Sequence, residues 1–574
     1  MPQAQRRPAA APEAPGIANA AIMYAVDGFD TSRDKLMGRH VAGEEFLKGY
    51  VRYSGVDKIY GLMMGAQNAQ RFQEDIGRWS NKRAEAEIIP YAQLERVGET
   101  GNLFLPGPGL SEWAWRRRMF DQRTFSISGI THTTASSGAM DSITSMSIAP
   151  VQPWDALICT STAVRKTAER VLDEQEYYLR RRFGARRFVR PELPVIPLGV
   201  DCDAFTRKDK IRYEWRRDLK IGKNDVVFLF VGRLSFHAKA HPHPMYLGAE
   251  AAAKASGRRI HLIQAGWFAN DFIENAFKDA AKALCPSVTC HFLDGRQPRT
   301  RAEIWSAADV FVSMSDNIQE TFGLTPIEGM ASGLPLIVSD WDGYMDTVRQ
   351  GKDGFRVRTV QAPPGTGEEF AVRQELGIDT YDRYCGHTCQ FAAVDTAQCV
   401  DAFVQLASSP ELRAKMGETG KKHARTTFDW SVVVKCYQEL WTQLAKLRAE
   451  APESASHDSA GRHVSYPARM DPFDVFEHYA TESLSDEHRV SLPEGSGPDR
   501  LKAYRQLSTT NYASAVLPEV NLCNQILNVV AKRGTATVAE LLKITAANQV
   551  IPMKRALVWM MKIDVLKIDP PQRG

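Results

Sequence analysis

The sequence predicts an α/β protein with two doubly wound parallel sheets, followed by a separate and mainly helical module. Three observations predict this fold class. From residue 18 to about residue 205, short apolar runs such as AAIMYAV and ALICTS alternate with amphipathic segments such as GEEFLKGYVRYSG. A second series of the same kind begins at DVVFLFVGRL and extends to residue 447, whereas residues 471–574 contain three helical stretches. Apolar strands alternating with helices are typical of parallel sheets covered by helices.

The same patterns divide the chain into domains. Residues 1–17, rich in Pro and Ala, are predicted to be a disordered leader. An N-terminal Rossmann-like domain is expected over 18–205 and a C-terminal one over 206–447, where the helical segment SVVVKCYQELWTQLAKL closes the second domain.

One further segment interrupts the alternation of predicted strands and helices, and two more follow it. Residues 359–391 begin with a Pro/Gly cluster and are interpreted as an insertion, and the polar stretch 448–470 is interpreted as a linker. Residues 471–574 then form a unit whose three helices and terminal hairpin suit a winged-helix-like module.

Composition excludes several classes of protein. Hydrophobic residues make up 44% of the chain and charged residues 24%, while 72 basic and 68 acidic side chains leave a net charge of only +4. Global charge therefore gives no argument for nucleic-acid binding. Nine irregularly spaced cysteines favour reduced thiols and a cytoplasmic location. No apolar run reaches the roughly 18 residues that span a bilayer, so any membrane contact would be peripheral.

The richest candidate site is the segment DNIQETFGLTPIEGMASGLPLIVSDWDG, residues 316–343. It follows the predicted strand ADVFVSMS, at the strand end where open α/β sheets bind ligands. Glu320 and Glu328 stand about two helical turns apart, so both can face one cleft. Gly323 lacks a side chain where the backbone would approach a ligand, and the N–H groups of a helix start can bind a diphosphate.

These residues resemble the retaining glycosyltransferases of family 4, which have the GT-B fold. That family carries two Glu separated by seven residues and then a G-L-P strand, as do Glu320, Glu328 and GLPLI at 333–337. The VGRL strand end with Arg233, the following Lys239 and the PLGVD segment at 197–201 match further family landmarks in the expected order. Lys239 comes one residue later than the usual spacing. The resemblance extends over roughly residues 20–447.

The resemblance implies a role for each residue of the second domain. Arg233 and Lys239 would stabilise the departing diphosphate, a task suited to two fixed cations. Glu328 would accept hydrogen bonds from the nucleotide ribose, and Glu320 from the donor sugar. The nucleotide-sugar segment would also include Phe322, Gly323, Leu324 and Thr325, whose backbone N–H groups contact sugar and phosphate.

On the first domain, the resemblance places a Gly-rich loop at 38–47, containing Gly43, against the donor phosphates, and His132 beside the transferred sugar. It also implies front-face attack with retention and neither a metal ion nor a cofactor. The donor would be a nucleotide diphosphate-sugar, with a UDP-sugar favoured, and the acceptor a glycan, lipid or protein hydroxyl. Asp346 stands where the family has Glu, which leaves the donor sugar open.

Other interpretations compete with these assignments. Thr325, Pro326 and Glu328 also fit a capping box that would fix a helix start. The CGHTC segment at 385–389 suggests zinc, but its spacing matches no usual finger pattern, so no metal is expected. Trp113 and Trp115, with the adjacent Arg116, Arg117 and Arg118, either bind an acceptor or belong to a surface helix.

The whole chain also has an alternative function. It would then be a catalytically silent GT-B scaffold that acts through its C-terminal module. Basic residues in that module are scattered among apolar positions, so we expect a protein partner or self-association there and no nucleic acid.

Overall fold

The computed structural model describes residues 17–29, 38–80, 83–454 and 466–571. The predicted leader, except for Ile17, lies outside these residues, as does much of the predicted linker. The described chain forms two compact units, one ending at Tyr466 and the other beginning at Pro467.

The first domain of the larger unit contains a six-stranded parallel sheet. Its strands are β1 (Ala21–Met23), β2 (Lys58–Met63), β3 (Glu85–Pro90), β4 (Asn102–Leu105), β5 (Ser126–Ile130) and β6 (Ala156–Ile158), in the spatial order β3-β2-β1-β4-β5-β6. The helices around this sheet are α1 (Val26–Phe29), α2 (Gly38–Tyr53), α3 (Ala66–Trp79), α4 (Leu110–Arg117), α5 (Ser137–Ser145) and α6 (Thr162–Phe183).

A second six-stranded parallel sheet forms the second domain. Its strands are β7 (Val226–Val231), β8 (Ile260–Gly266), β9 (Thr289–Asp294), β10 (Val310–Ser313), β11 (Leu336–Ser339) and β12 (Gly354–Val357), in the order β12-β11-β10-β7-β8-β9. The accompanying helices are α7 (Asp209–Asp218), α8 (His243–Ser256), α9 (Asp271–Leu284), α10 (Pro298–Glu303), α11 (Leu324–Ala331) and α12 (Tyr344–Thr347). The predicted pair of Rossmann-like domains is therefore confirmed.

The predicted insertion forms a small substructure of its own. Strands β13 (Thr359–Gln361) and β14 (Ala392–Val394) pair antiparallel, and between them lie helices α13 (Glu368–Glu375) and α14 (Tyr381–Cys389). The chain then continues through α15 (Thr396–Ser408), α16 (Pro410–Thr427) and α17 (Trp430–Glu450).

Helix α17 differs from the prediction, because it packs on the first domain instead of closing the second. The indole N–H of Trp441 donates to Ser128 Oγ of β5 at 3.1 Å, and the Gln438 amide donates to the Ser54 carbonyl at 2.8 Å. At the start of the helix, the Trp430 ring lies against Gly199 of the PLGVD segment, where a Cβ atom would approach the ring to 2.3 Å. One apolar core therefore runs through both domains.

The smaller unit contains helices and a three-stranded antiparallel sheet. Its elements are α18 (Pro472–Val475), β15 (Arg489–Ser491), α19 (Pro498–Arg505), α20 (Ser508–Asn511), α21 (Val520–Arg533), β16 (Thr535–Thr537), α22 (Val538–Lys543), α23 (Val550–Lys562) and β17 (Lys567–Asp569). The three predicted helices are confirmed as α21, α22 and α23. The predicted terminal hairpin is wrong, because β17 pairs with the distant strand β15, which also pairs with β16.

Among the described residues, no helix combines the length and hydrophobicity needed to cross a lipid bilayer.

Candidate active site

The predicted charged residues Arg233 and Glu320 lie where the strand order of the second sheet reverses. Strands β7 and β10 are neighbours, yet β8 and β9 intervene between them in sequence, so the chain winds away from β7 on both sides. Arg233 follows the carboxyl end of β7, and Glu320 lies in the loop after β10. Ligands in open α/β sheets bind at such a switch point, outside the carboxyl ends of the strands.

Lys239 and Glu320 form an ion pair at this point. The Lys239 ammonium donates to Glu320 Oε2, and the two side chains are only 21% and 11% exposed. Burial by itself lowers the pKa of Lys239, but the facing carboxylate outweighs burial and holds this pKa above its ordinary value. Burial likewise raises the pKa of Glu320, while Lys239 and the backbone N–H groups of Phe322 and Thr321 bring it below its ordinary value. Both groups are therefore charged at neutral pH.

Tyr344 also contacts Glu320 and was not identified from the sequence. Its hydroxyl donates to Glu320 Oε2 at 3.5 Å and lies 2.8 Å from Ser313 Oγ at the end of β10. The Tyr344 ring also explains Gly323, because a Cβ atom there would lie 2.1 Å from the ring and because Gly323 has a φ of 88°. The space at Gly323, predicted to admit a ligand, is occupied by this ring.

Arg233 belongs to the same cluster. One guanidinium nitrogen donates to the Ala238 carbonyl at 3.0 Å and also to Gln319 Oε1. Its positive charge acts to lower the pKa of Lys239, as expected for two neighbouring cations. The structure therefore places Arg233 and Lys239 together beside Glu320.

Glu328 faces the cluster from helix α11. Its pKa is raised to about 7, first by burial and then by the negative charge of Glu45 on helix α2, while Lys239 acts in the opposite direction. The alternative capping box is wrong, because Gly323 precedes the helix and Thr325 Oγ1 is buried with no hydrogen-bond partner among the described residues. Charges of both domains, Glu45 in the first and Lys239 in the second, therefore act on Glu328.

Phe322 and Leu324 contribute their side chains to the core. Phe322 is buried against Phe428 with ring centroids 6.2 Å apart, and Leu324 packs on the same apolar cluster. Only the backbone of this segment remains suited to the contacts that the sequence predicts.

The first domain meets the site through the loops after β5 and β6. The carbonyl of His132 accepts a hydrogen bond from Thr321 Oγ1 at 3.1 Å. Thr321 directly follows Glu320, so the backbone of His132 contacts the residue next to Glu320. Ser161 Oγ donates to Asp342 Oδ1 at 3.2 Å, and the backbone N–H of Thr162, at the start of α6, donates to Asp346. The two domains therefore face each other around the charged cluster.

Asp342 is a second site residue that the sequence did not mark as functional. It adopts a φ of 45°, which is unusual for a residue with a side chain, and its pKa is raised to about 7 by burial and by the charge of Glu320. Its position just beyond the carboxyl end of β11 was the signal that could have identified it.

The predicted Gly-rich loop is wrong, because Gly38–Tyr53 forms helix α2. Gly43 lies within this helix and allows it to approach α1, since a Cβ atom at this position would lie 2.4 Å from the Gly28 carbonyl oxygen. Gly43 and His132 line a common pocket with Phe29 and Pro106. Gly43 is therefore near the first-domain face of the site as part of a helix.

The candidate acceptor residues Trp113 and Arg117 are buried in the first domain. In the part of the chain that the structure describes, no group of three or more His, Cys, Asp or Glu side chains could hold a metal ion. In the CGHTC segment, Cys385 and Cys389 are buried and His387 Nδ1 lies 3.0 Å from Asp379 Oδ2.

Comparison with known proteins gives one match to a family model. Residues 211–362 match the family model for glycosyl transferases group 1. That segment contains Arg233, Lys239, Glu320 and Glu328, although it amounts to little more than a quarter of the chain.

Curated relatives include proteins named D-inositol 3-phosphate glycosyltransferase. The protein from Nocardia farcinica is 29% identical over 197 residues, which cover 34% of this chain and 41% of the relative. The Corynebacterium glutamicum protein is 26% identical over 276 residues, covering 47% and 54%, and the Geodermatophilus obscurus protein is 32% identical over 167 residues, covering 28% and 36%. The chain thus spans about half the length, or less, of the relatives it matches.

Two solved structures align with most of the chain. Anabaena HepE in complex with UDP and glucose is 13% identical with a TM-score of 0.47, covering 74% of this chain and 100% of HepE. Sucrose-phosphate synthase from Thermosynechococcus elongatus is 16% identical with a TM-score of 0.44, covering 74% and 99%.

Proposed function

We propose that this protein is a glycosyltransferase that moves a sugar from a nucleotide diphosphate-sugar to an acceptor hydroxyl, with retention of anomeric configuration. The observation that carries the proposal is the cluster of Arg233, Lys239 and Glu320 at the switch point of the second sheet, facing the first-domain loop of His132. The family match over residues 211–362 supports it. We propose a UDP-sugar as donor on the resemblance set out above.

The two cations act on the leaving group. As the anomeric bond breaks, negative charge grows on the diphosphate and positive charge on the sugar ring. Lys239 keeps its proton because Glu320 faces it, and Arg233 is held by Ala238 and Gln319, so both are oriented before the donor arrives. Fixed charges of this kind need no reorganisation during the reaction. In this scheme no metal ion is required, and chelation leaves the rate unchanged.

The carboxylates and the backbone position the donor. Glu320 remains ionised and accepts hydrogen bonds from sugar hydroxyls, while Glu328 accepts them from the ribose. The N–H groups at the start of α11, around Phe322, Gly323 and Leu324, bind the diphosphate or the sugar. His132 lies beside the transferred sugar on the opposite face.

Retention follows from front-face attack, in which the leaving phosphate oxygen takes the proton of the acceptor hydroxyl. Two observations support this over attack by a carboxylate. Glu320 is already engaged by Lys239 and Tyr344, and Asp342, with a pKa of about 7, is partly protonated at neutral pH. NMR coupling constants of the product test this step, and an inverted product contradicts it.

The acceptor is proposed from chemistry and from the names of the relatives. A glycan, lipid or protein hydroxyl is the general class. Because several relatives are named for D-inositol 3-phosphate, a phosphorylated polyol is the first acceptor to test.

The decisive experiment is a panel of UDP-, GDP- and ADP-sugars scored by release of the nucleoside diphosphate. We expect one donor to be turned over and Glu320→Ala to reduce the rate by about 100-fold or more, as for other groups that act in the transition state. Glu274→Ala is the matched control, because Glu274 forms an exposed ion pair with Lys278 at 2.6 Å away from the site. Turnover of no donor, or equal rates for both variants, contradicts the proposal.

A further inference from the structure

The insertion between β12 and α15 contacts the loops that carry the proposed catalytic residues. Helix α14 packs closely on the loop before Lys239, since a Cβ atom at Gly386 would lie 3.1 Å from His237 Cβ. The Asn317 amide, in the loop before Glu320, donates to the His237 carbonyl at 2.9 Å and to the Cys385 carbonyl at 3.5 Å. The insertion is thus anchored on both second-domain loops of the site.

The same insertion reaches the first domain. The hydroxyl of Tyr381 lies 3.1 Å from Thr133 Oγ1, and the Gln374 amide donates to the Ala135 carbonyl at 3.4 Å. Thr133 directly follows His132. Tyr381 therefore touches the one first-domain loop that also accepts the hydrogen bond from Thr321.

A charged cluster fixes the turn that presents Tyr381. Asp379 is buried and receives two hydrogen bonds from the Arg373 guanidinium, at 2.8 and 3.0 Å. His387 Nδ1 lies 3.0 Å from the same carboxylate, and Thr380 caps the start of α14 through the Arg383 N–H. A bidentate pair has little freedom, so the turn holds Tyr381 in one place.

The Tyr381 hydroxyl also faces Gln319. The pKa of Tyr381 is raised to about 12, chiefly by burial, while contacts of the hydroxyl with Thr133 and then Gln319 act in the opposite direction. Gln319 in turn accepts a hydrogen bond from Arg233. Tyr381 is therefore hydrogen-bonded to the first-domain loop and also acts on Gln319, the residue that Arg233 contacts.

We propose that Tyr381 is a positioning residue of the transfer reaction. It links the His132 loop of the first domain to Gln319 and Arg233 of the second domain, and so holds the two faces of the cleft at a fixed distance. The inference rests on the proposed function. Loss of the link lets the faces separate, which admits water to the donor site. Water then competes with the acceptor for the sugar, and the sugar is released with a hydroxyl from water while the nucleoside diphosphate leaves as before.

Tyr381→Phe tests this role, because it removes only the hydroxyl. We expect kcat for transfer to fall about three- to tenfold, the range for one lost hydrogen bond, while KM for the donor changes less than about twofold. The ratio of hydrolysis to transfer should rise. Thr133→Val should change both quantities in the same direction, and the double variant should be no worse than Tyr381→Phe, since Tyr381→Phe already removes the contact with Thr133. Thr133→Ser should behave as the unchanged protein.

Tyr384→Phe is the matched control, because Tyr384 lies on the same helix, is half-buried and, among the described residues, has no hydrogen bond from its hydroxyl to Thr133 or Gln319. Hydrogen exchange of residues 131–135 gives a readout that needs no activity, and it should quicken in Tyr381→Phe but not in Tyr384→Phe. An unchanged hydrolysis ratio together with unchanged exchange overturns the inference. Additive losses in the double variant also overturn it.

The two proposals fail in different ways. If the unchanged protein turns over no nucleotide sugar, the proposed function is wrong. If it does so but Tyr381→Phe matches Tyr384→Phe in rate, hydrolysis ratio and exchange, only the positioning role is wrong.

Discussion

The burial of Arg117 could not be predicted from the sequence. Arg117 is the middle of three arginines that the sequence places on an acceptor loop or a surface helix. In the structure it forms two hydrogen bonds with Asp155, at 2.6 and 2.8 Å, and neither side chain is exposed. The partner lies 38 positions away, and nothing local marks the middle arginine as different from its neighbours.

Removal of Arg117 from this buried ion pair should lower the free energy of unfolding. Arg117→Ala leaves the Asp155 carboxylate buried without its counter-charge, and we expect a loss of about 3–5 kcal/mol in unfolding free energy. The control Arg170→Ala breaks a pair with Glu174 whose side chains are 77% and 61% exposed, and it should cost less than about 1 kcal/mol. Denaturant unfolding of both variants measures the difference, and equal midpoints contradict the assignment.

The raised pKa of Glu328 predicts how the affinity for the donor depends on pH. Its pKa is raised to about 7, so the carboxylate becomes protonated as the pH falls from 8 to 6 and loses its capacity to accept ribose hydrogen bonds. KM for the donor should therefore rise over this interval. Glu328→Gln should show a KM that varies little with pH, whereas Asp342→Asn should keep the dependence. Identical pH profiles for Glu328→Gln and the unchanged protein would exclude Glu328 as the titrating group.

At the scale of elements, the sequence predicted whether a segment is a strand or a helix better than it predicted where that segment packs. Apolar alternation identified both sheets, because a strand buried on two faces must be apolar throughout. It did not show that α17 packs on the first domain, since an apolar helical stripe looks the same whichever sheet it covers. The loop predicted at 38–47 failed similarly, because glycine serves a loop or a close helix contact equally well.

The packing of α17 gives a prediction for Trp441. Its ring is fully buried, meets Tyr50 edge-on at 5.5 Å and donates its N–H to Ser128. Trp441→Ala should lower the unfolding free energy by about 3–5 kcal/mol. Because α17 covers the first domain, hydrogen exchange should increase most in α2 and β5. An increase confined to the second domain would contradict this placement.

The sequence singled out Arg233, Lys239 and Glu320, which the structure brings together, but it did not identify the residues that they contact. That Glu320 and Glu328 serve one binding cleft stays a prediction from their spacing. Tyr344 and Tyr381 lack such a signal, because their contacts join segments that are distant in sequence. For Asp342, only its position just beyond the carboxyl end of β11 could have drawn attention to it.

At the scale of the whole molecule, the chain divides at Tyr466, inside the predicted linker. Hydrogen bonds to the first domain continue beyond α17, since Ser454 Oγ donates to the Val151 carbonyl at 2.8 Å. The boundary predicted at residue 447 is therefore too early for a stable truncation.

A protein ending at Tyr466 should fold and retain the transfer rate of the full chain within about twofold, because a domain with its own core can fold alone. Circular dichroism and nucleotide release measure this. A folded truncation that lacks the transfer activity of the full chain would contradict this prediction, whereas a truncation that transfers sugar excludes the catalytically silent scaffold.

Binding of UDP to the charged cluster is the central claim, and calorimetric titration tests it most directly. We expect saturable binding to the full chain, binding at least about tenfold weaker in Lys239→Ala because a charged contact to phosphate is lost, and unchanged binding in Lys278→Ala, whose lysine pairs with Glu274 on the exposed helix α9. Equal affinities for the two variants, with both proteins folded, would contradict the account.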